Sequence, residues 1–321
     1  MTYKNKLIVL SSVIAALAIV YIITIFFDPQ RAGSRSDLYS WLEPGQNDKI
    51  TGISITKEGE TAAQETINLS RNGGKWFVTH DGKDYPARQV RVDDFIAALA
   101  KRGSYPVYSS SASSHERLSL TPDRAAQVTV SAGAGLPLLT LLIGQTDITG
   151  QNVYLRKQGQ NEVRSGEDRF SSYTAAALSS WYNLRLFPEN EEGKFNEQDI
   201  QRLIVYHPGE ETPRIFTRSG REWTFNFELP NPDISKINSY LRDILGVSGD
   251  DFAGGISPSD SMFNTSRIIL ELGNGATTTL RLGPADENGR CYATVSGSDI
   301  VYSIPGWAAG RLLVDKKNFE Q

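Results

Sequence analysis

Two short stretches of this chain are versions of one another. RNGGKWFV, residues 71–78, and RSGREWTF, residues 218–225, both fit R-x-G-x-x-W, with Arg71, Gly73 and Trp76 matched by Arg218, Gly220 and Trp223. Other matches keep the same order along the chain. Trp76 to Trp223 is an offset of 147 (223 − 76). Phe95 to Ile237 and Leu99 to Leu241 give 142, and Gly144 to Gly283 gives 139. Tyr154 to Tyr292, Gly159 to Gly297 and Val163 to Val301 all give 138. Small deletions at turns explain the drift, and chance matches would not stay in order. The expectation is two tandem copies of one unit.

Each copy reads as strands, a helix, then more strands. Ile53 and Ile55, Ile67 and Leu69, and Trp76 and Val78 alternate with less apolar residues, as strands with one buried face require. Val92, Phe95, Ile96 and Leu99 then fall at helical spacing, with Gly103 placed to end the helix. Val128, Val130 and the stretch LPLLTLLIG predict a strand pair closing at Gly144, and a hairpin follows around Gly159. SYTAAALSSWYNLRLF predicts a closing helix and strand. The second copy repeats this order. Its helix lies in NPDISKINSYLRDILG, with Pro232 in the first turn, and its hairpin turns at Asn274-Gly275. The predicted fold is α+β: two twisted antiparallel sheets with packed helices, residues 50–187 and 200–321, joined by an acidic linker, 188–199.

Within that frame the R-x-G-x-x-W motif has a structural reading. Glycine allows positive φ at a tight turn, the tryptophan enters the next strand facing the core, and the arginine stacks across the hairpin or pairs outward. The competing reading is a pair of aromatic contact platforms for a ligand such as a sugar.

The N-terminus carries a different constraint. Residues 7–27, LIVLSSVIAALAIVYIITIFF, contain no charged side chain. At about 1.5 Å per residue they span about 30 Å, the thickness of a bilayer core. Lys4 and Lys6 precede the run, favouring a cytoplasmic N-terminus, residues 1–6. The run is longer than a cleaved signal's apolar region and lacks a small-x-small site, so an uncleaved anchor is expected. Residues 28–49 read as a polar stalk, in which Tyr39, Trp41 and Leu42 either pack onto the folded part or sit at the membrane interface. The whole chain is 321 residues with net charge −4. Removing residues 1–27 takes two lysines and no acids, leaving 31 basic and 37 acidic side chains, net −6. That balance does not suit a nucleic-acid binder. The single cysteine, Cys291, excludes an internal disulfide and reads as a small buried hydrophobe.

No motif supplies a chemistry. His80, His115 and His207 are far apart and lack metal-type partners at close spacing. YSSSASSHERLSL places serines beside His115 and Glu116 but without a G-x-S-x-G elbow, and reads as a loop. The acids of GDDFAGG and DRAAQ form no recognisable pair, and there is neither a dinucleotide fingerprint nor a P-loop. No cofactor, metal or catalytic residue is assigned.

One membrane helix followed by GKWFV, DDFIAALAKRG, LLIG, VYLR and WYNLRLF resembles a bacterial family of uncharacterised membrane-anchored proteins, often encoded beside gliding-motility-type ABC exporter components. The resemblance spans most of residues 41–318. It implies a non-ATPase auxiliary subunit or scaffold of an envelope assembly, in contact with lipid through residues 7–27 and with integral-membrane exporter subunits. The expected location is the inner membrane, with the large domain outside the cytoplasm. The alternatives are an extracytoplasmic module for a glycan, lipid or peptide, and a hydrolase with an unrecognised site.

Overall fold

The structure is a computed structural model and describes Leu17 and residues 38–43, 45–57, 59, 66–187 and 196–321. The expected anchor, residues 7–27, lies outside the described residues apart from Leu17. No helix among the described residues is long and apolar enough to cross a membrane. The chain divides into two compact units, Met1–Trp181 and Tyr182–Gln321.

In the first unit a short strand, β1 (Leu38–Tyr39), precedes β2 (Ile50–Thr56), β3 (Thr66–Asn72), β4 (Lys75–His80) and β5 (Lys83–Pro86). Helix α1 (Gln89–Ala100) follows, then β6 (Gly103–Ser104), β7 (Val107–Ser109) and a helical turn, α2 (Ser114–Arg117). β8 (Ala126–Ala132), β9 (Pro137–Thr146), β10 (Asn152–Lys157) and β11 (Val163–Glu167) come next, and α3 (Ser171–Thr174) and the 3-10 turn Leu178–Trp181 close the unit. The antiparallel sheet runs β5-β4-β3-β2-β8-β9-β10-β11-β7, while β1 pairs separately with β6. Ile53, Ile55, Ile67, Leu69, Trp76, Val78, Val128 and Val130 are all buried. Their two-residue period puts them on the one face that the helix side covers.

The second unit comprises β12 (Ile200–Tyr206), β13 (Arg214–Ser219), β14 (Glu222–Phe225), α4 (Ile234–Gly246), β15 (Asp251–Phe252), β16 (Ser266–Leu272), β17 (Thr277–Leu282), β18 (Arg290–Val295), β19 (Val301–Pro305) and α5 (Gly306–Leu312). Its sheet runs β14-β13-β12-β16-β17-β18-β19-β15. Substituting β4-β3-β2-β8-β9-β10-β11-β7 for these names reproduces the first sheet strand for strand. Within that sheet β5 has no counterpart, and the separate β1–β6 pair has none among the described strands either. Sheets predominate: the described residues form three antiparallel sheets and few helices, so the α+β expectation is met with the weight on β.

The helices match differently from the sequence alignment. Val92, Phe95, Ile96 and Leu99 are the buried positions of α1, and Ile237, Tyr240, Leu241 and Ile244 those of α4. These sets superimpose at 145 (237 − 92), not at the 142 that pairs Phe95 with Ile237. The shift is three residues, close to one helical turn, so both alignments put apolar residues on one face. The helix starts agree with 145, since 234 − 89 is also 145. Gly103 does not end the first helix; it lies in β6, where a Cβ would sit 2.9 Å from the Tyr105 ring. Pro232 precedes the helix cap instead of lying in its first turn. The cap is Asp233, whose carboxylate accepts from the Ser235 and Lys236 amides.

The division between the compact units lies at Trp181–Tyr182. Arg88 N–H donates to Trp181 O at 2.8 Å, and Asp233 N–H donates to Phe319 O at 2.7 Å, a matching bond in each unit. Trp181 and Phe319 are both buried and close their units. Residues 182–187 belong to the second unit, where Leu186 and Phe187 enter the core and Leu186 N–H donates to Val247 O at 3.1 Å. Residues 38–42 hold the matching place in the first: Trp41 and Leu42 amides both donate to Leu99 O at 3.1 Å. Of the expected stalk, residues 28–37 lie outside the described residues, and 38–42 form a lead-in segment of the fold, with Trp41 and Leu42 packed onto it.

Candidate functional site

The two motif hairpins have the same construction. Arg71 lies opposite Trp76 across β3–β4, and Arg218 opposite Trp223 across β13–β14. Gly73 and Gly220 take φ of 55° and 63°, where a Cβ would be strained. Trp76 is 2% exposed and Trp223 7%, so neither offers an open ring face to a ligand. The guanidinium carbons of Arg71 and Arg218 lie 5.8 and 4.6 Å from the respective ring centroids. Arg71 is exposed, whereas Arg218 is half-buried. Arg218 also donates to Gln198 O at 3.0 Å. In the first unit the Gln89 side chain pairs with the backbone of Trp76, just beyond the end of β5. The Gln89 amide accepts from Trp76 N–H at 2.8 Å and donates to Trp76 O at 2.9 Å.

Each histidine has a partner of its own. His115 Nε2 is 3.0 Å from Asn161 O, His207 Nε2 is 3.1 Å from Leu313 O, and His80 Nε2 is 3.4 Å from Asp81. Among the described residues no three metal-binding side chains converge. The serines by His115 build a turn: Ser111 Oγ is 2.8 Å from Ser113 Oγ, and Ser114 Oγ donates to Ser111 O at 2.7 Å. The second unit repeats it, with Ser257 Oγ 2.8 Å from Ser259 Oγ. This S-x-S correspondence, at 146 (257 − 111), was legible in the sequence and hidden by the serine-rich background of the first copy.

Another repeated turn escaped sequence reading. Asp147 Oδ1 accepts from the Thr149 hydroxyl at 2.7 Å and amide at 3.1 Å, and Oδ2 from Asn152 Nδ2 at 2.9 Å. These bonds, the Thr149 hydroxyl first, hold its pKa far below the usual carboxylate range. Asp286 does the same for the Asn288 and Arg290 amides at 2.9 and 2.8 Å. Gly150 and Gly289 both take positive φ three residues on, so D-x-x-G recurs at 139 (286 − 147).

The remaining candidates are absorbed into supporting contacts. Asp250 lies 3.7 Å from Arg290, and Asp251 Oδ1 accepts from Phe252 N–H at 2.8 Å. Hydrogen bonding by Thr121 lowers the Asp123 pKa. Of the acidic linker, 188–195 lies outside the described residues, and Glu197 pairs with Arg242 at 3.1 Å. Cys291 is buried and its thiol pKa is pushed up, first by desolvation, which suits an inert core position. Arg214 Nε donates to Glu210 at 2.9 Å and its NH1 to Val314 O at 2.7 Å, clipping the C-terminal segment to the β12–β13 loop.

A cation-bearing surface surrounds the lead-in of the first unit. Tyr39 and Tyr105 flank Trp41 edge-on, at 5.0 and 5.4 Å between centroids. The Tyr39 ring carries Arg164 at 4.1 Å and Lys157 at 5.2 Å. Arg164 also pairs with Glu162 at 2.6 Å and donates to Tyr105 O. Lys101 and Arg102 are exposed between α1 and β6, the strand that holds β1. This is cation-rich ground at the point where the chain meets its first unit.

No curated protein matches the chain. Residues 76–266, from the first tryptophan of the repeated motif to the start of β16, match the family model described as "Domain of unknown function (DUF4340)", and the chain belongs to that family.

Proposed function

We propose that this protein is a membrane-tethered scaffold outside the cytoplasm, an auxiliary subunit that docks onto an export or envelope complex. Its two units derive from tandem duplication. The reading is carried by one observation: two sheets of the same strand order whose candidate reactive side chains are taken up by turns, caps and clips. A duplicated scaffold doubles the surface available for docking. A single apolar run such as 7–27 cannot form a transport path alone, so a role in translocation requires partner helices. Tethering also raises the effective concentration of the folded units near a membrane complex.

The test is crosslinking in membranes followed by purification in mild detergent. Integral-membrane transporter subunits should be recovered with the full chain and depleted when residues 1–27 are removed. Recovery of the full chain without membrane partners would refute the scaffold. A second reading, a module that binds a glycan, lipid or peptide, draws on Trp307, 68% exposed with Arg311 at 5.2 Å. A ligand lost on Trp307→Ala, with unchanged melting temperature, would favour it.

A further inference from the structure

We propose that the cationic surface around the lead-in of the first unit rests on anionic phospholipid headgroups. The inference deepens the tethered-scaffold reading and rests on its membrane anchor at residues 7–27. The contour from Phe27 to Leu38 is at most about 36 to 40 Å at about 3.3–3.6 Å per residue. Leu38, 47% exposed, is then fixed to the unit through β1–β6 and through Trp41, so the tether ends on a rigid point. The surface around that point is therefore the part of the first unit nearest the end of the tether.

Its charge opposes that of the molecule. Beyond residue 27 the chain has net charge −6, yet Lys157 stands over the Tyr39 ring, and the exposed Lys101 and Arg102 directly precede Gly103, the partner of Tyr39 across β1–β6. Asp168, whose charge reaches Tyr105, offsets part of this. Arg164 and Arg169 are neutralised locally by Glu162 and Glu167, each at 2.6 Å. Tyr39, with cations over its ring, supplies an amphipathic side chain suited to the headgroup region. A basic residue at an anionic surface favours contact by roughly fivefold, so three together favour it by about a hundredfold.

The experiment uses the full chain in nanodiscs of phosphatidylcholine, with or without phosphatidylglycerol. A fluorophore is placed on β6 through Ser104→Cys in a Cys291→Ser background, with a quencher on the lipid headgroups. Quenching should be strong in the anionic discs, weak in the neutral ones, and reduced by high salt. The triple variant Lys101→Gln, Arg102→Gln, Lys157→Gln should lower the contact equilibrium by about a hundredfold, and the Lys101→Gln, Arg102→Gln pair should fall between. Retention on anionic discs without quenching overturns the lipid contact while leaving the anchor intact, as does equal quenching in neutral discs. Recovery of the chain free of discs removes the anchor and the contact together.

Discussion

Trp41→Ala separates a docked lead-in from a free stalk. The side chain is 3% exposed. A buried tryptophan withdraws about 150–250 Å² from water, worth about 4–6 kcal/mol at about 25 cal/mol/Å². The compactness of the unfolded chain removes up to about 40% of that. The edge-on contacts with Tyr39 and Tyr105 return about 0.5–1.5 kcal/mol each. The expected cost is about 4 kcal/mol, in the range of about 3–5 kcal/mol for such truncations. With a urea slope of about 2 kcal/mol/M, the first unit's midpoint should fall by about 2 M. Its melting temperature should fall by about 8–16 °C. Urea titration of the detergent-solubilised full chain, with hydrogen exchange read at α1 and β6 amides, makes the measurement specific to this unit. Unchanged midpoint and protection would mean that Trp41 belongs to a solvated stalk or to the membrane interface, and the packing argument would fail.

Equivalent glycines should respond unequally to alanine. A Cβ at Gly144 would lie 2.2 Å from Leu118 O, whereas at Gly283 its nearest neighbours are Met262 side-chain atoms at 3.5 Å. Gly144→Ala should therefore cost about 1–3 kcal/mol and Gly283→Ala clearly less; equal urea midpoints would refute this. The buried Tyr240 hydroxyl donates to Leu312 O, so Tyr240→Phe should cost about 1–3 kcal/mol by leaving that carbonyl unpaired. A neutral change in calorimetry would show that the carbonyl finds another donor. Hydrogen bonds from Arg214 lower the Glu210 pKa. A depressed folded-state value stabilises above the unfolded pKa of about 4.3 and is lost as pH falls through the folded one. Glu210→Gln should flatten the stability profile in that acid window, and an unaltered slope of midpoint against pH would count against the clip.

The alternation of apolar side chains and the ordered repeat determined the paired units, the burial of Trp76 and Trp223, and the turns at Gly73 and Gly220, because each depends on neighbours a few residues away. The Ser111/Ser257 and Asp147/Asp286 turns were equally local and readable in principle. Three features needed tertiary structure. The register of α4 against α1 was ambiguous because an amphipathic pattern nearly repeats after one turn, and packing on a sheet chooses between the alternatives. The lead-in segments 38–42 and 182–187 are too short to show periodicity; their partners, Leu99 and Val247, lie some sixty residues away. The Arg214 clip and the cations around Tyr39 join residues that the chain separates by 100 positions (314 − 214) and 125 (164 − 39). Sequence pattern reports which face of an element is apolar, whereas only the closed sheet brings distant charges to one place.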